Sequence, residues 1–446
     1  MTGLTQQTDA PPAGWLRRHA IDTTPLRIAA FRRQVLGQGT SFIGSMLTAI
    51  AVPVQVYSLS HSSWQVGLVG LVGLLPLVLF GLYGGAVADV VDRRTLYFAS
   101  SLGSWLVTLL LLLQAMAGLD NVPVILVLVA VQSGFFAVAS SVRGAIIPRI
   151  VPVELVPAAN TLSFTVGNLG SVLGPLLAGL LVTRRHGFSY AYGVDALLFT
   201  MALYSALRLP RLPAEGRNPP AGVRSVLQGF AFIAGRPVLF MSFLVDIAAM
   251  VFAMPRALFP QIAAERFHGQ VGPLYAAIAV GSLLAGLSGG WIGRVRRQGV
   301  ALTFAIVLWG LCIAAAGLAH LLWLAVLLLA LAGAMDLISA VYRQTILQTY
   351  APDRMRGRLQ GVFTVVVAGG PRLGDVRAGG TAALTGATSS WVGGGLLCSA
   401  VVLVAGVLVR QFWRYDASKI PLDGSVTSDP MLPADGPLPI DGTLAD

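Results

Sequence analysis

LVGLVGLLPLVLFGLYGGAVADVVDRRTLY, residues 68–97, sets sixteen uncharged residues ahead of a segment that packs Asp89, Asp92, Arg93 and Arg94 into six positions. An uncharged run of that kind, wound as a helix with its flanks, spans the hydrocarbon core of a bilayer. The charge cluster after it reads as the point where the chain leaves lipid for water.

The remainder of the chain repeats this pattern. Its 446 residues are 55% hydrophobic and 11% charged, with a mean hydropathy of +0.76. Soluble domains carry roughly a quarter charged residues. So few charges cannot cover the apolar surface of a soluble protein, and the composition predicts an all-α polytopic membrane protein. The net charge of +11 does not point to nucleic acid, because the basic residues sit in short clusters between apolar runs and all but Lys419 are arginine. Cys312 and Cys398 lie inside apolar segments and read as packed thiols.

Apolar runs between charge or proline clusters predict twelve spans, near 34–58, 64–88, 95–118, 122–148, 156–183, 188–207, 236–260, 271–293, 299–319, 321–348, 357–386 and 389–411. The first is too long for a cleaved signal peptide and reads as a retained helix. With the N-terminal segment in the cytoplasm, that face collects 22 of the 30 basic residues, and the opposite face holds Arg184, Arg185 and Arg266. The positive-inside rule then places both termini in the cytoplasm. The expected organisation is a cytoplasmic segment 1–33, a six-helix bundle 34–208, a cytoplasmic linker 209–235 rich in Pro, Gly and Arg, a second six-helix bundle 236–411, and a disordered cytoplasmic tail 412–446.

The two halves echo each other. Arg143 and Pro148 near the end of the fourth span match Arg343 and Gln348 in the tenth, 200 residues on. Gly174–Pro175 matches Gly370–Pro371 at a separation of 196, and GGAVADVVDRR aligns with GGWIGRVRRQG at 205. Nearly constant offsets predict two bundles related by a pseudo-two-fold axis along the membrane normal.

Gly85, Asp89, Arg93 and Arg94 between the second and third spans follow the signature of the major facilitator superfamily, with Asp92 where glycine is usual. The chain resembles that superfamily over about residues 25–412. More narrowly, Ala51–Leu68, Pro273–Gly286, Thr345–Val362 and the pair Gly374–Asp375 are similar to bacterial exporters of enterobactin and of other siderophores and drugs. The resemblance implies a secondary active exporter in the bacterial inner membrane that moves a small amphipathic molecule, a siderophore above all, by alternating access driven by protons. A broad-specificity multidrug antiporter and a non-transporting receptor or assembly protein stay open as alternatives. One chain of this architecture encloses a whole pathway, which makes a monomer the expectation. GxxxxGK, HExxH and CxxC motifs are absent, and the reading includes no catalytic residue, metal or cofactor.

Nine charged residues inside the predicted spans are candidates for function: Arg143, Asp195, Asp246, Arg256, Asp336, Arg343, Arg372, Asp375 and Arg377. On insertion scales each costs roughly 2.5–3.5 kcal/mol unless it meets a partner or water. Asp246, near mid-membrane, is a candidate proton carrier or a structural acid, and so are Asp336 and Asp375. Asp336 and Arg343 stand two helical turns, about 10 Å, apart on one face and are expected to point to different partners. Arg372 and Asp375, three apart, either pair or line the cargo path. Arg143 either snorkels, or binds an anion or makes a gate contact, and Asp195 is expected near the outer interface. Arg256, Arg343, Arg372 and Arg377 join Gln55, Tyr57, Gln132, Arg143 and Asn168 as substrate-path candidates. Gly85, Asp89, Asp92, Arg93 and Arg94, with Arg354, Arg356 and Arg358 from the other half, are expected to form a conformational latch at the cytoplasmic mouth. Arg294 answers Asp89 in the repeat, so that latch is asymmetric.

Overall fold

The computed structural model describes residues 22–88, 91–212, 223–350 and 356–415. Among these residues the regular structure is entirely helical: α1 (Ala29–Ser60), α2 (Ser63–Ala88), α3 (Arg93–Ala117), α4 (Val122–Ile150), α5 (Val156–Val182), α6 (Gly187–Leu207), α7 (Val223–Ala234), α8 (Pro237–Ala253), α9 (Phe259–Arg266), α10 (Gly272–Ser288), α11 (Gln298–Leu318), α12 (Leu322–Tyr350), α13 (Arg356–Thr385), α14 (Ala387–Leu408) and a final turn α15 (Arg410–Trp413).

Local chemistry sets several of the boundaries. Asn121 caps α4 by accepting the Val124 amide, with Pro123 inside the first turn, where a missing N–H costs nothing. At the end of α3 the chain reverses through Gly118, at a φ of 60°, a left-handed conformation open to glycine without penalty. Gly386, at a φ of 87°, does the same between α13 and α14.

Among the described residues, ten helical segments are long and apolar enough to cross a membrane. The other two expected spans are helical but fall short on one criterion each. The segment near 271–293 forms α10, only 17 residues long, followed by the 3-10 segment Gly289–Arg294. The segment near 357–386 forms α13, 30 residues long, whose apolarity is diluted by Arg356, Arg358, Arg372, Asp375 and Arg377. Within the stretch expected as a linker, α7 forms a 12-residue helix that packs on α13. The acidic tail from 416 onward lies outside the described residues.

Large side chains such as Leu75, Leu180, Leu287, Leu384 and Leu408 point outward, an arrangement suited to lipid and unsuited to water. Inside, α1 packs on α5 and α6, α3 on α4 and α6, α10 on α12, and α11 on α12 and α14. Two further crossings, α2 with α13 and α5 with α10, join helices from the first and second parts of the chain. Without a hydrophobic drive between helices in lipid, small residues let backbones touch. A Cβ on Gly179 would stand 2.6 Å from the Gly272 Cα, and one on Gly67 would stand 2.7 Å from the Asp375 carbonyl oxygen. Gly281 and Gly333 make the α10–α12 crossing reciprocal, lying against the backbones of Ala330 and Ile278.

Gly281→Val forces α10 away from α12 and is expected to cost about 1–3 kcal/mol, the usual penalty for overpacking. Gly193→Ala, whose nearest neighbour is Leu112 Cδ1 at 3.8 Å, is expected to be neutral or stabilising through helix propensity. Thermal melting of the two variants in detergent checks the contrast.

Candidate functional site

Between α8 and α9 the chain stops being α-helical. Met254 and Pro255 interrupt it, a single turn Arg256–Leu258 follows, and α9 opens with Pro260 in its first turn. Proline carries no N–H, so carbonyls at the end of α8 lose their helical donors. Arg377 of α13 replaces them: its Nε donates to the Val251 carbonyl at 3.1 Å, its Nη2 donates to the Phe252 carbonyl, and its Nη1 donates to the Ser390 carbonyl of α14 at 3.0 Å. A cation at a helix C-terminus also meets the negative end of the helix dipole. Gly394 leaves the room for this, since a Cβ there would lie 2.7 Å from both guanidinium nitrogens. Arg377, expected on the cargo path, is committed to holding the break together.

Arg256 sits at the break with its side chain exposed, and its carbonyl accepts the Tyr275 hydroxyl at 3.1 Å. Asp375 lies in the combined field of Arg256, Arg372 and Arg377 and faces the Ala257 amide. The direct Arg372–Asp375 pair is not formed within 4.0 Å; the ion pairs among the described residues are both made by Arg343. Arg372 reaches away from its own helix, placing Nη1 3.5 Å from Ser133 Oγ on α4. Gly70 and Gly73 of α2 leave space for it.

Arg343 of α12 forms a close ion pair with Asp246 of α8, and its Nη2 lies 3.9 Å from Asp336 Oδ1. The expectation that Asp336 and Arg343 point to different partners is therefore corrected. Helical side chains lean towards the N-terminus, and an arginine is long enough to reach back over two turns. The side chains of Arg343 and Asp246 are 7% and 4% exposed, whereas that of Asp336 is 32% exposed. Ser242, Phe243 and Phe363 close around the inner pair. Asp246 is thus a neutralised acid, and Asp336 is the member open to its surroundings.

The first part of the chain corrects two more expectations. Gln55, assigned to the cargo path, is 2% exposed. Its side-chain oxygen accepts the Tyr192 hydroxyl at 2.7 Å and the Gln114 amide at 3.1 Å, which locks α1, α3 and α6 together. Asp195, expected at the outer interface, is the ninth residue of the 21-residue α6 and is 1% exposed. It accepts the Thr48 hydroxyl at 2.5 Å and the Thr108 hydroxyl at 3.4 Å. Gln132 in turn donates to the Thr108 oxygen at 3.2 Å. Tyr57, Asn168 and Arg143 are half-buried, with Tyr57 packed against His61.

The family described as transmembrane secretion effector matches residues 21–432. The chain belongs to this family of the major facilitator superfamily. The enterobactin exporter EntS of Escherichia coli O6:K15:H31 (strain 536 / UPEC) is 30% identical over 402 residues, covering 89% of this chain and 96% of that protein. Its counterpart in Escherichia coli (strain SMS-3-5 / SECEC) is 31% identical over 390 residues, covering 86% and 93%. Among solved structures, the nucleoside transporter NupG superposes with a TM-score of 0.69 at 13% identity, over 86% of this chain and 99% of that one. A bacterial homologue of the lysosomal transporter Spinster gives 0.66 at 17%, over 88% and 97%. The protein is a multi-pass bacterial membrane protein and a secondary transporter of small molecules, not an enzyme.

The signature loop of this transporter is only partly described. Asp89 and Arg354 lie outside the described residues, and for Gly85, Arg356 and Arg358 the helix is described but the side chains are not. Asp92 caps α3, accepting the Thr95 amide at 3.0 Å, and also accepts the Leu212 amide at 3.0 Å. The Arg93 amide returns a bond to the Leu212 carbonyl at 3.0 Å, and Arg94 Nη2 donates to the Leu207 carbonyl at 2.6 Å. These contacts tie α3 to the end of α6, a fastening inside one part of the transporter.

Removing one partner of a buried pair leaves an uncompensated charge, a loss of about 3–5 kcal/mol. Arg343→Gln is expected to lose that much stability, and Asp246→Asn combined with Arg343→Gln to recover most of it, as read by thermal melting in detergent.

Proposed function

We propose that this transporter exports a siderophore-class amphipathic molecule by alternating access, with inward proton flow as the energy source. The carrying observation is the 30% identity to the enterobactin exporter over 89% of this chain and 96% of that protein. The proposed architecture is twelve spans in two pseudo-symmetric six-helix bundles, residues 34–208 and 236–411, joined by 209–235, with 1–33 and 412–446 in the cytoplasm and a monomer as the working unit.

The contacts between the first and second parts of the chain support a cavity closed at one end. They gather near Ser63, Gly179, Gly272 and Gly379, and the Ser63 hydroxyl donates to Gln261 Oε1 at 2.5 Å. That end lies opposite the arginine-rich loops, which the positive-inside rule assigns to the cytoplasm. The proposed cycle then requires this end to part for release and the arginine-rich end to part for loading.

Arg256, exposed at the helix break, and Arg372 offer positive charge to an anionic or hydrogen-bonding cargo, with Arg143 and Asn168 lining the way. Of the three C-terminal acids, Asp336 is the one proposed to exchange protons with the cavity. Asp246 stays bound to Arg343, and Asp375 is held among arginines. Each inward charge supplies about 2.3 kcal/mol per 100 mV, so one proton per cycle sustains outward accumulation.

In proteoliposomes containing the full-length protein, enterobactin is expected to move against its gradient when a pH gradient is imposed, and Asp336→Asn to reach a lower steady-state enterobactin ratio under the same gradient. Failure of the wild type to move enterobactin under any gradient overturns the cargo assignment.

A further inference from the structure

The acid that the C-terminal ion-pair network does not account for is Asp195. It lies mid-helix in α6 and is 1% exposed, enclosed by α1, α3 and α6. One feature distinguishes it from Asp246 and Asp375. No cation acts on it: the groups that do are the Thr48 and Thr108 hydroxyls. Its Oδ1 has no hydrogen-bond partner. Gly44 of α1 presses directly on that same oxygen, so the space there is filled by protein.

The surroundings offer no compensating charge from any side. α1 contributes Thr48 and the backbone at Gly44. α3 contributes Thr108 and Trp105, whose indole donates to the Ala196 carbonyl at 2.9 Å. α4 contributes Gln132 through Thr108. The titratable neighbour on α6 is Tyr192, its hydroxyl spent on Gln55. α5, which also packs on α6, contains no ionisable residue.

A lone carboxylate cannot remain ionised in such an enclosure; it neutralises instead. A neutral carboxylic acid fits this site: both threonine hydroxyls meet Oδ2, so a proton there lets the acid donate to one hydroxyl and accept from the other, and leaves Oδ1 as an uncharged carbonyl oxygen. We infer that Asp195 is a second proton-binding site, in the first half of the transporter, occupied when α1, α3 and α6 close around it as they do here. Closure of these helices demands the proton, and rearrangement that lets water reach the carboxyl releases it. Proton occupancy is thereby tied to conformation without any contact between Asp195 and cargo. Gln132, half-buried on α4 and next to Ser133 at the Arg372 guanidinium, holds Thr108 and so links this site to the α2–α13 crossing.

As a coupling site, Asp195 rests on the proton-driven reading above, but its protonation can be tested without cargo. Infrared spectra of the full-length protein in lipid, taken across a pH titration, are expected to show a protonated-carboxyl band at neutral pH. That band disappears on alkalinisation and is missing from Asp195→Asn. Thr108→Val, which keeps the acid but removes one hydroxyl partner, is expected to move the pH at which the band disappears, and it serves if Asp195→Asn fails to fold. Identical wild-type and Asp195→Asn spectra at neutral pH, or a band that persists until the protein unfolds, overturns the inference.

In proteoliposomes, a single proton lost from the coupling stoichiometry lowers the steady-state enterobactin ratio about tenfold per unit of imposed pH gradient. Asp195→Asn is expected to show that drop while retaining enterobactin exchange at equal pH. An unchanged ratio in folded Asp195→Asn overturns the coupling role. If the wild type moves no enterobactin, the cargo proposal fails while the infrared titration still decides the site.

Discussion

A charged side chain inside a bilayer must be answered by an opposite charge, a backbone dipole or a proton, and this structure uses all three answers. Arg343 is answered by Asp246 and, more loosely, by Asp336. Arg377 is answered by the carbonyls that the break after α8 sets free. Asp195 has hydroxyl partners but no countercharge. Each unanswered charge would cost several kcal/mol in hydrocarbon, so these arrangements decide which helices must lie side by side.

The break at Met254–Leu258 depends on that constraint most directly. A helix interrupted at membrane depth is tolerated only where its freed polar groups are met by protein or by a wet cavity. Arg377 meets them from α13, and Gly374 and Gly394 allow the approach, since side chains there would strike the α8 backbone or the guanidinium itself. The same break leaves Arg256 exposed beside Asp375 and in reach of the field of Asp336. One interruption therefore both consumes a cation structurally and presents another to the interior.

The glycine crossings let helices from the first and second parts of the chain approach closely. α5 with α10 meets backbone to backbone at Gly179 and Gly272, and α2 with α13 does so at Gly67 and Gly379, while the Arg372 side chain fills the space at Gly73. Backbone contacts of that kind slide with little repacking, which suits the alternating access proposed for this transporter. By contrast, Gln55, Gln114 and Tyr192 join α1, α3 and α6 through directional hydrogen bonds, which must break before those helices part and water reaches Asp195.

Composition and the spacing of apolar runs were enough to place the helices, because lipid permits few other ways to satisfy a backbone. The run at 68–83 and the charges at 89–94 already carried the all-α membrane fold and the superfamily signature. The intramembrane charges were also legible, because each stands out against an apolar background. Their partners were not. Whether Arg372 turns to Asp375 or across to Ser133, whether Arg343 reaches Asp336, and whether Gln55 faces cargo or Tyr192 depends on which faces of distant helices meet. Sequence spacing describes one helix at a time, whereas the environment of Asp195 is made by residues 48, 108 and 195 on three of them. Only packing brings those residues together, and so only the tertiary structure decided which buried charges are neutralised and which acid has only a proton to neutralise it.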